Sequence, residues 1–122
     1  MLSTQISAAQ QRQSLPPASR GAGAANGSWI DVRDLEGQAL IDIQIGAVTG
    51  NVTVKLQDAT DIGGTGAADV AGLTTAALTA ANTPARIAFV PGATRGFVRI
   101  VATVVTGPVL CGAAILGHSK YT

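Results

Sequence analysis

Apolar and polar residues alternate with a period of two along much of the chain after residue 28. The clearest examples are residues 39–45 and 51–57, which are also rich in β-branched side chains. The apolar members of the two stretches are Ala39, Ile41, Ile43 and Ile45, then Val52, Val54 and Leu56. This pattern is typical of half-buried antiparallel strands. The glycine-bounded connection at 46–50 is consistent with a hairpin between them.

Further strand candidates follow at spacings of about ten residues and are separated by Gly and Pro turns. They lie at residues 28–33, 69–73, 86–90, 96–105 and 109–117, the last being nearly continuously apolar. Residues 74–82 are ambiguous, because Ala and Leu permit a helical turn whereas Thr residues and Pro84 favour irregular structure. The sequence predicts an all-β fold, a small antiparallel β-sandwich that is jelly-roll-like, with six to eight strands.

Residues 1–27 have a different composition, rich in Gln, Ser, Ala and Gly and free of acidic side chains. Pro16 and Pro17 force an extended backbone within this segment. One interpretation is a disordered tail. The other is an extended arm, residues 1–27, that leaves the sandwich domain of residues 28–122 and lies on a neighbouring subunit. The candidate contact residues of the arm are Ile6, Arg12, Leu15, Pro16, Pro17 and Arg20.

Composition narrows the classes of function. Charged residues make up 12% of the chain, hydrophobic residues 47% and aromatic residues 3%, with a formal net charge of +1. Disorder throughout the chain is excluded by this hydrophobicity, and extensive binding to nucleic acid is unexpected without a concentrated basic surface. No apolar run is long enough for a membrane span. With one cysteine and one histidine, neither an intramolecular disulfide nor a zinc site within one chain is expected, and no cofactor is indicated.

Candidate catalytic residues are sparse. Asp58, Asp61 and Asp69 flank a glycine-rich loop, where calcium binding is one interpretation and turn formation the favoured one. His118 lies close to the end of the chain, and Cys111 lies within an apolar strand as a small buried residue. No constellation of nucleophile, base and acid is present in the pattern, so we do not expect an enzyme.

Trp29 and three arginines remain as candidates for an interaction surface. The lone tryptophan is either a core anchor or a ligand platform, and a carbohydrate-binding module normally presents several aromatic rings. Arg86, Arg95 and Arg99 are expected near one edge of the sandwich, as a solvated edge or as a contact with an acidic partner. Arg99 is expected on the outer face or paired with an acid such as Asp31 or Asp42.

Several short motifs together resemble a known class of protein. They are Trp29-Ile30-Asp31-Val32, Gly46-Ala47-Val48-Thr49-Gly50, the run from Val54 to Asp61 before the glycine loop, Gly96-Phe97-Val98-Arg99-Ile100, and Leu116-Gly117-His118. Over residues 28–118 this layout resembles small β-sandwich structural proteins of tailed bacteriophages, including capsid decoration (cement) proteins.

The resemblance implies a virion protein that is made in the host cytoplasm and bridges subunits of the major capsid protein as a homotrimer. Nucleic acid and membrane are not implied as partners. A component of the tail or of the head–tail junction is one alternative, and a carbohydrate-binding adhesion module is another. The low charge suits a surface hidden against other subunits, since an isolated small domain carries about 25–35% charged residues on its surface.

Overall fold

The computed structural model describes residues 9–119, and most of them lie in β-strands. The strands are β1 (Ala9–Arg20), β2 (Gly23–Asn26), β3 (Ile30–Asp31), β4 (Leu35–Val48), β5 (Asn51–Ala59), β6 (Ala68–Thr74), β7 (Ala85–Phe89), β8 (Phe97–Val105) and β9 (Val109–Ser119). A short 3₁₀ turn, Pro91–Ala93, separates β7 from β8. Within the described range no α-helix is formed.

The strands form two antiparallel sheets. The first sheet has the order β1-β9-β4-β7, and the second has the order β2-β8-β5-β6, with β3 pairing beside β2 along β8. The two sheets pack face to face around one apolar core. This architecture confirms the predicted small antiparallel β-sandwich.

The period-two pattern places alternate residues of the central strands in the core. Ile41 and Ile43 of β4, Val52 and Leu56 of β5, and Ile100 of β8 have no exposed surface. Burying an aliphatic side chain of this kind stabilises the fold by about 1.5–3 kcal/mol. The apolar faces that the alternation predicts for residues 39–45 and 51–57 are therefore confirmed as core faces.

The segment at 74–82 packs against β5 without forming a helix. Leu78 makes an isolated antiparallel bridge with Val52, and the hydroxyl of Thr75 accepts a hydrogen bond of 3.1 Å from the amide of Val54. The irregular interpretation of this segment matches the structure. The segment therefore lies along residues 52–54 of β5, next to the part of β5 that pairs with β6.

The N-terminal segment differs from the predicted arm over its described part. Residues 9–20 pair along β9 of the same chain, and residues 23–26 pair with β8, so both strands belong to this sandwich. Leu15 is 1% exposed and forms part of the core, which explains why the segment stays on its own domain. Ile6 lies outside the described residues.

The two prolines explain why the sequence suggests an arm. Pro16 and Pro17 lie in a gap of the β1–β9 register between Leu15 and Ala18, at the open edge of the first sheet. Proline is tolerated there because an edge strand with a bulge does not need every N–H. Opposite them, a Cβ at Gly112 would lie 2.8 Å from Pro17 Cα, so only glycine permits this close approach.

Ser14 joins the two sheets at the β1 edge, and we call its contacts the Ser14 junction. Its hydroxyl accepts a hydrogen bond of 3.0 Å from the amide of Ile100 and donates one of 2.8 Å to the carbonyl of Ser28. Its carbonyl accepts a bond of 2.7 Å from the amide of Ser28. Gly27 completes the junction, since a Cβ there would collide with Ser14 Oγ and lie 2.7 Å from the Ile100 carbonyl oxygen. Ser14 is 0% exposed, so these bonds are shielded from water.

We expect Ser14→Ala to lower the free energy of unfolding by about 1–3 kcal/mol, because it leaves the buried amide of Ile100 without its acceptor. Urea denaturation followed by circular dichroism measures this difference. Ser19→Ala, an exposed serine of the same strand, is the matched control and should change stability by less than about 0.5 kcal/mol. Equal stabilities of the two variants would contradict the role given to the junction.

Candidate interaction surface

The register of the second sheet aligns four polar or aromatic positions across its outer face. Ile30 pairs with Val98, which places Trp29, one residue earlier, opposite Arg99. Arg99 pairs with Gln57 of β5, and Gln57 pairs with Asp69 of β6. Antiparallel partners project on the same face of a sheet, so these side chains form one row. We call it the cross-strand row.

Each member of the cross-strand row contacts the next. The guanidinium carbon of Arg99 lies 4.7 Å from the ring centroid of Trp29, a cation–π contact. Arg99 Nε donates to Gln57 Oε1 at 2.9 Å, and Gln57 Nε2 donates to Asp69 Oδ1 at 2.9 Å. Lys55 Nζ lies 3.1 Å from the same carboxylate oxygen. The hydrogen bond from Gln57 lowers the pKa of Asp69 most, and the bond from Lys55 lowers it further. The row therefore satisfies much of its own hydrogen-bonding capacity.

The glycine-rich loop between β5 and β6 packs against the edge of Trp29. Gly64 has a φ of +86°, and a Cβ there would lie 2.5 Å from Trp29 Nε1. Asp61 organises the loop by accepting bonds from the Thr65 hydroxyl at 2.6 Å and from the Gly63 amide at 2.9 Å. These hydrogen bonds lower the pKa of Asp61, and the bond from the Thr65 hydroxyl has the largest effect. The carboxylate thus acts as a turn former in this loop.

A second charged cluster lies where β1 meets the β3–β4 connection. The Arg12 guanidinium bonds both oxygens of Asp34, at 2.6 and 2.7 Å, and the carbonyl oxygen of Asp31 at 2.7 Å. Arg33 bonds the Asp31 carboxylate at 2.8 Å and lies 4.7 Å from the ring centroid of Phe97. Arg12, Asp31 and Asp34 line an open cleft of about 540 Å³ together with Trp29 and Ile30.

The carboxylates of this cluster are held in their charged form. Hydrogen bonds from Arg33 lower the pKa of Asp31 to about 2. The bidentate contact with Arg12 likewise lowers the pKa of Asp34, and the same contact raises the pKa of Arg12. Arg12 thereby fastens β1 to the chain just before β4.

The three predicted edge arginines lie on different parts of the sandwich. Arg95 bonds the carboxylate of Asp58, a residue of β5 in the second sheet, at 2.9 Å. Arg86 lies on the first sheet, 3.3 Å from Asp42. Arg86 therefore does not line up with the other two arginines. Arg99 contacts Gln57 and Trp29, rather than either acid considered from the sequence.

The remaining candidates of the N-terminal segment belong to β1. Leu15 is in the core, whereas Pro16 and Pro17 are exposed at the sheet edge. Arg20 is half-buried and donates to the carbonyl oxygen of Pro16. The segment thus contributes both to the core and to the rim of the first sheet.

The outer face of the first sheet carries an apolar stripe along β9, a feature that the sequence reasoning missed. Outward residues of its two central strands alternate with the core positions Ile41, Ala113 and Ile115. On β9 they are Leu110, Gly112, Ala114 and Leu116, and on β4 they are Leu40, Asp42 and Gln44. A groove of about 270 Å³ runs beside Leu110 and is lined by Pro17, Gln44, Ile45, Gly46, Leu110, Cys111 and Gly112. The nearly continuous apolar run of β9 is the signal that could have indicated this face.

Chemical groups suited to metal binding are scattered. Within residues 9–119, no three His, Cys, Asp or Glu side chains are grouped so that they could hold a metal ion. Burial raises the pKa of the Cys111 thiol, which is 3% exposed. In the same range, no helix has the length and hydrophobicity needed to cross a membrane.

Comparison with known proteins identifies the fold. No protein-family model and no curated protein sequence matches this chain. The SPBc2 prophage-derived protein YomS is similar in structure, with a TM-score of 0.58 and 14% identity over 89% of this chain and 93% of that chain. A protein of the disulfide-linked pili of Bacillus endospore appendages is similar at 0.56 and 13%, over 91% and 88%. These likenesses show a shared two-sheet β-sandwich.

We expect Gly64→Ala to detach the glycine-rich loop from Trp29, because the new Cβ collides with the indole and the positive φ costs about 1–2 kcal/mol. Trp29 is the only tryptophan, so its fluorescence reports the change directly. The emission should shift to longer wavelength and acrylamide quenching should increase. Gly63→Ala, in the same loop with its nearest contact at 3.3 Å, is the control. Identical spectra for the two variants would argue against the contact.

Acid should weaken the second charged cluster, in which Arg12 bonds Asp34 and Arg33 bonds Asp31. Asp31 and Asp34 have lower pKa values folded than unfolded, so the unfolded chain binds more protons between about pH 4 and about pH 2. Their stabilising effect is present above about pH 4 and is lost as the pH falls through that window. Asp34→Asn should lower stability near neutral pH and reduce its decline in acid.

Urea midpoints measured at about pH 7 and about pH 2.5 test this expectation. Glu36→Gln, which removes an exposed carboxylate near the start of β4, is the control for general charge effects. A decline in acid that is unchanged by Asp34→Asn would show that the Arg12 contact does not couple to stability.

Proposed function

We propose that this protein is a structural subunit of a virion and that it assembles through the apolar outer face of its first sheet. In the specific form of the proposal, it decorates a phage capsid as a homotrimer and binds across subunits of the major capsid protein. The role is one of binding and stabilisation rather than catalysis. The contrast between the two outer faces of the sandwich is the observation that carries the proposal.

On the second sheet, the side chains of the cross-strand row contact one another. The cross-strand row links Trp29 to Asp69 through Arg99 and Gln57. A partner that bound here would have to displace these contacts or match them.

On the first sheet, the outward positions of β9 are aliphatic residues and glycine, and Asp42 and Gln44 of β4 lie beside them. Leu40 pairs directly with Leu116, and Leu110 is 44% exposed beside the groove. Asp42 and Arg86 are paired with each other toward the β7 edge. An apolar centre flanked by polar groups is the usual anatomy of a protein–protein interface. Repeating such a contact by symmetry gives avidity without a single strong site.

The comparisons support an assembled role at the level of fold. One similar protein is prophage-derived, and another belongs to a pilus of endospore appendages. The low proportion of charged residues, 12%, agrees with a surface that is covered in the assembly.

Two alternative functions would use the surfaces of the protein differently. A component of the tail or head–tail junction would use the same face in a ring. A carbohydrate-binding module would use Trp29, yet one face of this ring is covered by Arg99 and its Nε1 edge by Gly64. The structure therefore favours assembly over sugar stacking.

We expect Leu110→Lys to convert the oligomer to monomer, because it places a charge in the centre of the proposed contact. Light scattering coupled to size-exclusion chromatography measures the mass. Val105→Lys is the matched control, since Val105 is 54% exposed at the end of β8 in the second sheet. A wild-type protein that is monomeric at all concentrations, or equal effects of the two variants, would refute the proposed face.

Immunogold labelling of particles from the source culture then locates the protein. Label on phage heads supports capsid decoration, and label on tails supports the tail alternative. Label on cellular filaments alone would contradict a virion role. Binding to glycans that is lost on Trp29→Ala would support the carbohydrate alternative instead.

A further inference from the structure

We propose that β1 is an exchangeable strand: in the assembled protein, β1 of one copy occupies the position beside β9 of a second copy. This inference rests on the proposed function, because it names how the subunits are joined. The closed chain described above is then the form of the isolated subunit.

The contacts that dock β1 would be the same in either arrangement. Ser14 bonds Ser28 and Ile100, and Arg12 bonds Asp34, all of which lie after residue 27. The pairing partners of β1 are likewise all in β9. A second copy of this chain therefore offers β1 an identical binding position.

The position beside β9 must also be filled by some copy. Ser14 and Leu15 are 0% and 1% exposed, so withdrawal of β1 would open the core and leave the amide of Ile100 without its acceptor. The fold thus favours replacement of one β1 by another over an empty edge. A segment of identical chemistry from a neighbouring copy is the partner that fits.

The connection between β1 and β2 is suited to act as a hinge. Only Gly21 and Ala22 separate the two strands, and both are exposed. A Cβ at Gly21 or Gly23 would meet nothing within 4 Å, so this side of the hinge is open, whereas a Cβ at Gly107 would lie 3.0 Å from the amide nitrogen of Ala22 on its other side. Short hinges promote strand exchange because closing the chain on itself demands a tight reversal.

Pairing of β1 with β9 is also interrupted. The register shifts between Gln13 and Leu15 and again between Leu15 and Ala18, where the two prolines supply no N–H. The strand can therefore release in two short halves rather than as one continuous ladder. In an isolated chain, β1 docks on β9 of its own molecule. In an assembly, the high effective concentration of neighbouring copies allows β1 to dock on β9 of another copy instead.

A disulfide between two different chains tests the exchange directly. Ala18 of β1 pairs with Cys111 of β9, the only cysteine in the chain. A tagged Ala18→Cys, Cys111→Ala chain is co-expressed with the wild-type chain and oxidised. A disulfide joining tagged and untagged chains can form only if β1 of the first lies on β9 of the second. We expect it in the oligomer and not in the monomer fraction.

The control replaces Ala18→Cys by Ala71→Cys, an exposed position on β6, in the same Cys111→Ala background. It should give no mixed disulfide, because Cys111 is buried in the core. The single variant Ala18→Cys with native Cys111 shows that the pair can form, through an intrachain bond in the monomer. Oligomers that contain only intrachain bonds would overturn the exchange and leave the proposed function standing. Absence of any oligomer would overturn both.

A second measurement does not depend on disulfide geometry. Inserting four Gly and Ser residues between Gly21 and Ala22 relaxes the hinge and favours the closed chain. We expect the dissociation constant of the oligomer to rise by about tenfold or more. A dissociation constant unchanged by the insertion would show that the copies are held by face contacts alone and would refute the exchange.

Discussion

The fold depends on the way in which its first described strand is fixed to both sheets. Ser14 projects from β1 of the first sheet and bonds the backbone of Ser28 and Ile100 in the second. No residue with a Cβ fits at Gly27, where the chain passes beneath Ser14. Leu15, the next residue, enters the core from the same strand. These few contacts hold a polar, proline-containing strand in place at the edge of the first sheet.

The two outer faces of the sandwich differ in chemistry. Ser28, fixed by Ser14, precedes Trp29, and the register of β3 on β8 then sets Trp29 opposite Arg99. The row that follows is internally connected from Trp29, just before β3, across β8, β5 and β6. On the first sheet, β9 carries small and aliphatic residues outward, and the close approach of Pro17 requires glycine at position 112. One face is thus chemically satisfied, and the other is available to a partner.

The architecture could be predicted from the sequence where side-chain periodicity decides the structure. The alternation at Ile41, Ile43, Val52 and Val54 requires a pleated, half-buried sheet, and these residues are buried. The place of β1 could not be predicted, because Pro16 and Pro17 are compatible with either a free arm or a bulged edge. The partners of Arg99 depend on strand register, which brings neutral Gln57 rather than an acid beside it. The apolar outer face was missed because Gly112 and Ala114 suggest a buried strand and do not show which side faces outward.

The most direct test of this account is a cryo-electron microscopy map of the assembly that the protein forms. The account predicts that the outer face of the first sheet, including Leu40, Leu110 and Leu116, is buried against a neighbouring subunit. It also predicts that the row from Trp29 to Asp69 faces solvent. A map in which subunits meet through the second sheet while Leu110 is exposed to solvent would contradict it.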